Sequence, residues 1–188
     1  MGKAPSATLS QLLALADTVT HPFPPLLRQV NRLPYHWRNG GGVDFRPFDE
    51  FVCPAETQAW IQNWTGNPAL TGEQFLFFGR DSTGGYSGIW QAIAGADVLD
   101  QPIIFLGSDG DAAVIAKNFS DYLWLLAYCH TGCEVCTFVQ DDMAPDPVFL
   151  TFAEKHASTE RRLPSAIVAE ANALHPDFEG YIERLCGR

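Results

Sequence analysis

Three cysteines in "CHTGCEVC", Cys129, Cys133 and Cys136, have the C-x3-C-x2-C spacing that can hold an iron–sulfur cluster through three thiolates. With His130 added, the same stretch offers three thiolates and an imidazole, a set that zinc accepts. The surroundings oppose both. Radical enzymes with this spacing carry it after the first strand of a larger α/β barrel, whereas here it follows a helical segment late in a chain of 188 residues. No second ligand pair stands at zinc-finger distance. The expectation is a helix end with buried thiols, broken near Gly132, with no metal and no cofactor. A metal-binding protein using Cys129, Cys133 and Cys136 is the minor alternative.

A second stretch, "FLFFGRDSTGGYSGIW" at 75–90, raises the question of phosphate chemistry. A phosphate loop needs GxxxxGK[ST], because a lysine must reach the phosphates and a helix N-terminus must follow. This loop has no lysine and runs into a strand-like segment, and a dinucleotide GxGxxG is missing as well. It reads instead as a hairpin, in which Gly84 and Gly85 supply the positive φ that reverses the chain. Asp81 and Ser82 are placed to hydrogen-bond the loop backbone. Other catalytic constellations do not form: there is no GxSxG and no HExxH, and His21, His36, His156 and His175 stand in separate segments. The pairs Asp49-Glu50 and Asp141-Asp142 read as solvated faces. No residue is assigned a catalytic role, and the chain reads as a non-enzyme.

Charge points toward binding. Residues 47–154 hold 15 acidic side chains and two basic ones, Arg80 and Lys117, a balance of −13. Residues 1–46 carry five bases against two acids, and 155–188 are balanced at five each. The acidity therefore belongs to the middle of the chain, where it repels nucleic acid and steers a basic partner. The longest apolar run falls far short of the roughly 18–20 residues a membrane span needs. The N-terminus, interrupted by Gln11 and Asp17, suggests an amphipathic helix over 7–18 rather than a signal peptide. Five scattered cysteines imply no disulfide framework, so a soluble cytoplasmic protein is expected.

The elements that would position these residues can be read from the punctuation of the chain. Residues 1–24 form an N-terminal helix and a Pro-rich connector, and 25–188 a single domain. "NGGG" at 39–42 is a turn, and Pro47 places the strand around it at a sheet edge. "CPAETQAWIQNWTG" has Pro at the first helical position and Gly66 after the end, with Trp60 and Trp64 on one core-facing side. "PIIFLG" and "AAVIA" flank Ser108-Asp109-Gly110-Asp111, a strong hairpin signal. A helix capped by Asn118 or Ser120 comes next, then an acidic loop at 141–147 and helices near 148–156, 164–174 and 177–186. Consecutive strands with helices before and after them predict an α+β domain with an antiparallel sheet of four to six strands. Trp90 is expected to pack inward, in room left by Gly88. Of the acidic loops, Asp109, Asp111, Asp141, Asp142 and Asp146, the last three around an exposed Met143, are the residues expected to meet a partner.

Read together, "NGGG", "FGRDSTGGYSGIW" and "PIIFLGSDGDAAVIAKNFSDYLWLLA" resemble the SUKH superfamily of bacterial immunity proteins and fungal cell-wall synthesis regulators, over about residues 39–126. The signature positions are Gly79, Asp81, Gly84, Gly85, Trp90, Gly107, Asp109 and Gly110, followed by Asn118, Phe119, Asp121, Tyr122 and Leu123. The C-terminal 60 residues have no counterpart in the family pattern. The resemblance implies a non-enzymatic scaffold that binds a protein, in bacteria a secreted toxin such as a nuclease. A basic toxin domain is the expected partner, with no nucleic acid and no membrane. A regulatory scaffold or adaptor with a non-toxin partner is the alternative.

Overall fold

Consecutive apolar segments separated by Gly-rich turns give an antiparallel meander. The computed structural model describes residues 21–187 except positions 36, 39, 40 and 138. The chain runs through α1 (Pro25–Asn31), a short ladder of β1 (Trp37–Arg38) and β2 (Gly41–Gly42), β3 (Arg46–Pro47) and α2 (Pro54–Thr65). The sheet continues with β4 (Phe75–Arg80), β5 (Tyr86–Trp90), β6 (Ile103–Leu106) and β7 (Ala112–Ala116). Five helices complete the chain: α3 (Phe119–Ala127), α4 (Cys133–Thr137), α5 (Pro147–His156), α6 (Pro164–Leu174) and α7 (Phe178–Leu185). Strand order is β3-β4-β5-β6-β7, every pair antiparallel. The fold is α+β, as expected from the sequence.

The helices cover both faces of the sheet. On one face Phe78, Ile89, Phe105 and Ile115 meet Leu123 and Leu126 of α3. On the other, Phe75, Phe77, Ile104 and Leu106 meet Ile61 of α2, Ala171 of α6 and Phe178 of α7. Strand β6 is buried on both sides, which is why it is an unbroken apolar run and not an alternating one. Pro47 sits on the edge strand β3, where its missing N–H costs no ladder bond. At the other edge, α6 and α7 pack over β7 and protect it from pairing with another chain.

Local rules set the helix ends. Pro54 opens α2 and Gly66, at φ +70°, closes it in the left-handed conformation. Asn118 caps α3 by accepting the Asp121 N–H at 2.9 Å. The Asp121 carboxylate is fully buried, 2.5 Å from Arg162 and 3.9 Å from Lys117. Both cations also hold Glu170 of α6, so this buried charge is paired and ties α3 to α6.

Several expectations need correction. Gly84 has the positive φ (+96°), but Gly85 does not; a Cβ there would stand 2.4 Å from the Phe105 ring, so close approach is what requires glycine. The space at Gly88 belongs to Phe77, at 2.7 Å, and not to Trp90. Trp90 is half-buried and packs inward on α7, its ring 4.9 Å from Phe178 and 5.0 Å from Tyr181. Helix α3 ends at Ala127, before Gly132, and the left-handed residue is Cys129 (φ +61°). Gly132 instead admits the Phe105 ring, 2.2 Å from where its Cβ would be. The short α4 and a 3-10 turn at Val98–Asp100 were not foreseen. The expected helix over 7–18 lies outside the described residues, as do positions 39 and 40 of the "NGGG" turn. Phe23, in the connector, is buried against Phe51 at 4.8 Å. No helix among the described residues is long and apolar enough to cross a membrane.

Candidate functional site

The β6–β7 turn is built to be open. Gly107 N–H donates to the Asp111 carbonyl at 2.7 Å, and Gly110 adopts φ +97° at the apex with nothing against it. Trp64 of α2 donates its indole N–H to the Gly107 carbonyl at 2.7 Å and so fixes the base of the turn. Asp109 and Asp111 are left exposed.

Helix α7 faces this turn. Phe178 and Ile182, four apart, point into the core, which sends Glu179 and Glu183, one position later in each turn, toward solvent. The turn, α7 and the end of α6 enclose a cavity of about 640 Å³ lined by Asp109, Asp111, Glu179, Glu183, Trp64 and His175. No lysine or arginine lines it, and none of the four carboxylates makes an ion pair among the described residues. Burial against Trp90, 5.4 Å away, pushes the His175 imidazole below its ordinary value. Burial thus disfavours a positive charge on this ring, the one imidazole among the lining residues. The arrangement can receive a cationic side chain among its carboxylates.

The acidic loop at 141–147 is used differently. Asp141 accepts from Ser165 N–H at 2.9 Å and from the Ser165 hydroxyl, and these bonds hold its carboxyl below the usual range. Asp146 caps α5, accepting from Val148 N–H at 2.8 Å and Phe149 N–H at 3.2 Å. Met143, expected to be exposed, is half-buried and packs on the core. Asp142 alone of the three carboxylates is exposed without such a bond. Ser165 begins α6, while Asn172 and His175 at its other end line the cavity. Ser165 and His175 are ten residues apart, and at 1.5 Å each this puts the two acidic groups about 15 Å apart. They do not form one site.

The residues that carry the family resemblance hold the frame. Asp81 is 94% buried from solvent, and its Oδ1 accepts from Thr83 N–H at 3.0 Å, the Thr83 hydroxyl at 2.8 Å and Gly85 N–H at 2.8 Å. Ser82 reaches outside its loop, donating its hydroxyl to Asp44 at 2.6 Å. Gly79 lies against Phe45, whose ring would be 2.0 Å from an added Cβ. Each of these positions serves the turn or the packing beneath it.

His130 is buried with both ring nitrogens engaged: Nδ1 lies 2.6 Å from the Tyr128 carbonyl, and Nε2 accepts the Gln140 N–H at 3.2 Å. Cys129 sits in the left-handed linker and Cys136 on α4. Among the described residues no three His, Cys, Asp or Glu side chains gather as a metal ion would need.

Glu179 and Glu183 were not anticipated as partners of Asp109 and Asp111. Their i, i+4 spacing on the polar side of a short amphipathic helix was the available signal. No protein-family model, curated protein or solved structure matches this chain.

Proposed function

We propose that the chain is a non-enzymatic protein-binding module of the SUKH type, an immunity protein that neutralises a basic toxin domain in the producing cell. The observation that carries the reading is the cavity between the β6–β7 turn and α7. Four exposed carboxylates, Asp109, Asp111, Glu179 and Glu183, line it, with no lysine or arginine beside them among the described residues. Retaining four like charges around one concavity costs self-repulsion that an opposite charge from a partner relieves. A nuclease carries basic surface to hold its substrate, and this field speeds and orients its approach. Covering that surface excludes the substrate without any chemistry by the binder.

Expressing the product of the adjacent gene, alone and together with this chain, tests the reading. Growth arrest by the neighbour, relieved by the wild-type chain and not by Asp109→Lys with Asp111→Lys, is the expected result. Relief that is indifferent to the double reversal removes the cavity from the interface. A harmless neighbour that does not co-purify with the chain removes the immunity assignment.

A further inference from the structure

Two cations stand apart from the acidic cavity. Arg46 and Arg80 are directly opposite each other in the β3–β4 pair, and neither has a carboxylate within ion-pair distance among the described residues. The nearest acids in sequence are occupied elsewhere: Asp44 by the Ser82 hydroxyl, and Asp81 Oδ1 by Thr83 and Gly85. Like charges directly opposite in an antiparallel pair repel. Within the acidic block 47–154 the other base, Lys117, is bound to Glu170 at 2.7 Å, so Arg80 is the block's one cation without an ion pair among the described residues. Arg46 is exposed and Arg80 half-exposed, and both line an open cavity of about 380 Å³.

The sheet register connects this pair to the acidic cavity. Directly opposite residues share a face of the sheet, and one row across it reads Arg46, Arg80, Tyr86, Leu106 and Ala112. Ala112 lines the acidic cavity. At about 4.8 Å per strand, Arg80 and Ala112 are about 14 Å apart. Between them the half-buried Tyr86 ring lies 5.0 Å from Trp60, which stacks at 5.7 Å on Trp64, itself a wall of the acidic cavity. Leu106 in this row is fully buried beneath the helices, so the surface over the row is basic at one end, formed by the half-buried Tyr86, Trp60 and Trp64 rings in the middle, and acidic at the other.

We infer that the surface over this row, from Arg46 and Arg80 across Tyr86, Trp60 and Trp64 to the acidic cavity, is a bipolar docking strip for an extended segment of a protein partner that carries a cationic side chain and, four or five residues away, a carboxylate. The inference rests on the acidic cavity being the docking point for a basic group. An extended chain advances about 3.3 Å per residue, so four or five residues cover the distance. Two guanidiniums suit a carboxylate, which they grip in a planar fork. The carboxylates of Asp44 and Asp81 beside them oppose the second charge of a phosphate dianion. A surface of one sign attracts a basic partner in many orientations; one site of opposite sign at a fixed distance selects a single direction.

The test uses the full chain, labelled with nitrogen-15, and an end-capped six-residue peptide with arginine first, glutamate last and leucine among the glycines between. Titration is expected to shift the amides of Ser82–Gly85 and of Gly110–Ala113 together. A peptide ending in glutamine should bind about tenfold more weakly and leave the 82–85 amides unmoved. Arg80→Gln should give the same loss with the glutamate peptide, and Arg80→Lys, which keeps the charge without the fork, a smaller one. The strip is overturned if both peptides bind alike, or if only one set of amides moves. Shifts confined to Gly110–Ala113 leave the acidic cavity standing as a cation site and remove the strip alone. If neither set moves at millimolar peptide, both readings fail.

Discussion

The β4–β5 loop and the β6–β7 turn are made from the same residue types in the same sheet, yet they end in opposite states. In 81–85 the aspartate is turned inward and receives three hydrogen bonds from its own loop. In 108–111 both aspartates are exposed and neither side chain closes the turn, which backbone bonds close and Trp64 holds at its base. The difference lies in the residues after the aspartate. Asp81 has Thr83 and Gly85 two and four positions on, so N–H and hydroxyl donors fold back onto one oxygen. Asp109 is succeeded at once by the left-handed Gly110, which carries the chain away from it. An acidic residue in a turn is structural when its donors lie in its own loop, and available for recognition when they do not.

The sharpest way to break this contrast is Asp81→Ala. It strands two backbone donors, the buried Gly85 N–H and the part-buried Thr83 N–H, and should cost about 2–4 kcal/mol in urea unfolding. Asp109→Ala should stay within about 0.5 kcal/mol of wild type. Equal losses would mean that the two turns do not differ as described. Next comes Gly85→Ala, whose Cβ collides with Phe105 and should cost about 1–3 kcal/mol. Adding Phe105→Leu should recover part of that loss, and a strictly additive double-mutant cycle would show that the ring is not the obstacle.

Binding sharpens the comparison at the open turn. Asp109→Lys with Asp111→Lys should slow association with a basic partner about tenfold at low salt and flatten its salt dependence. The same reversals at Asp141 and Asp142 should slow it less, since Asp141 is already committed to Ser165. An equal or larger effect at 141–142 would place the partner on the other end of α6.

The smallest effect is in pH. His175 has a folded-state value below its ordinary one because of burial, so the fold favours the neutral ring. That contribution is complete above about pH 6.5, the ordinary value, and is lost as pH falls through the folded value. Asp141 and Glu170, lowered by hydrogen bonds from Ser165 and from Lys117 and Arg162, contribute above the ordinary carboxylate range and are lost only in stronger acid. His175→Asn should therefore remove the decline that starts near pH 6.5 and spare the acid limb near pH 4. A decline unchanged by the substitution assigns it to another group.

What was legible in the sequence was whatever neighbouring residues decide. Pro54 and Gly66 bracket α2, Asp-Gly marks the β6–β7 turn, and Asn118 caps α3. Asp146 before Pro147 was an equally plain cap signal, and the charge of its loop hid it. What was not legible depends on residues far apart. Glu179 and Glu183 join Asp109 and Asp111 across about 70 positions because α7 packs over β7. Gly85 and Gly132 look like turn residues but are small because Phe105 lies against both. Gly88 makes way for Phe77 from the paired strand, a contact that spacing along one strand does not show.

The anchoring of the β6–β7 turn stops at its base, where Trp64 holds the Gly107 carbonyl and Gly107 holds that of Asp111. Residues 108–110 lie beyond that latch, exposed and outside the core. Across generations, then, this stretch can lengthen, shorten or exchange its charges while the sheet below is inherited unchanged. A lineage facing a new partner has here a short piece of sequence to rewrite, and the Asp81 loop beside it offers no such freedom.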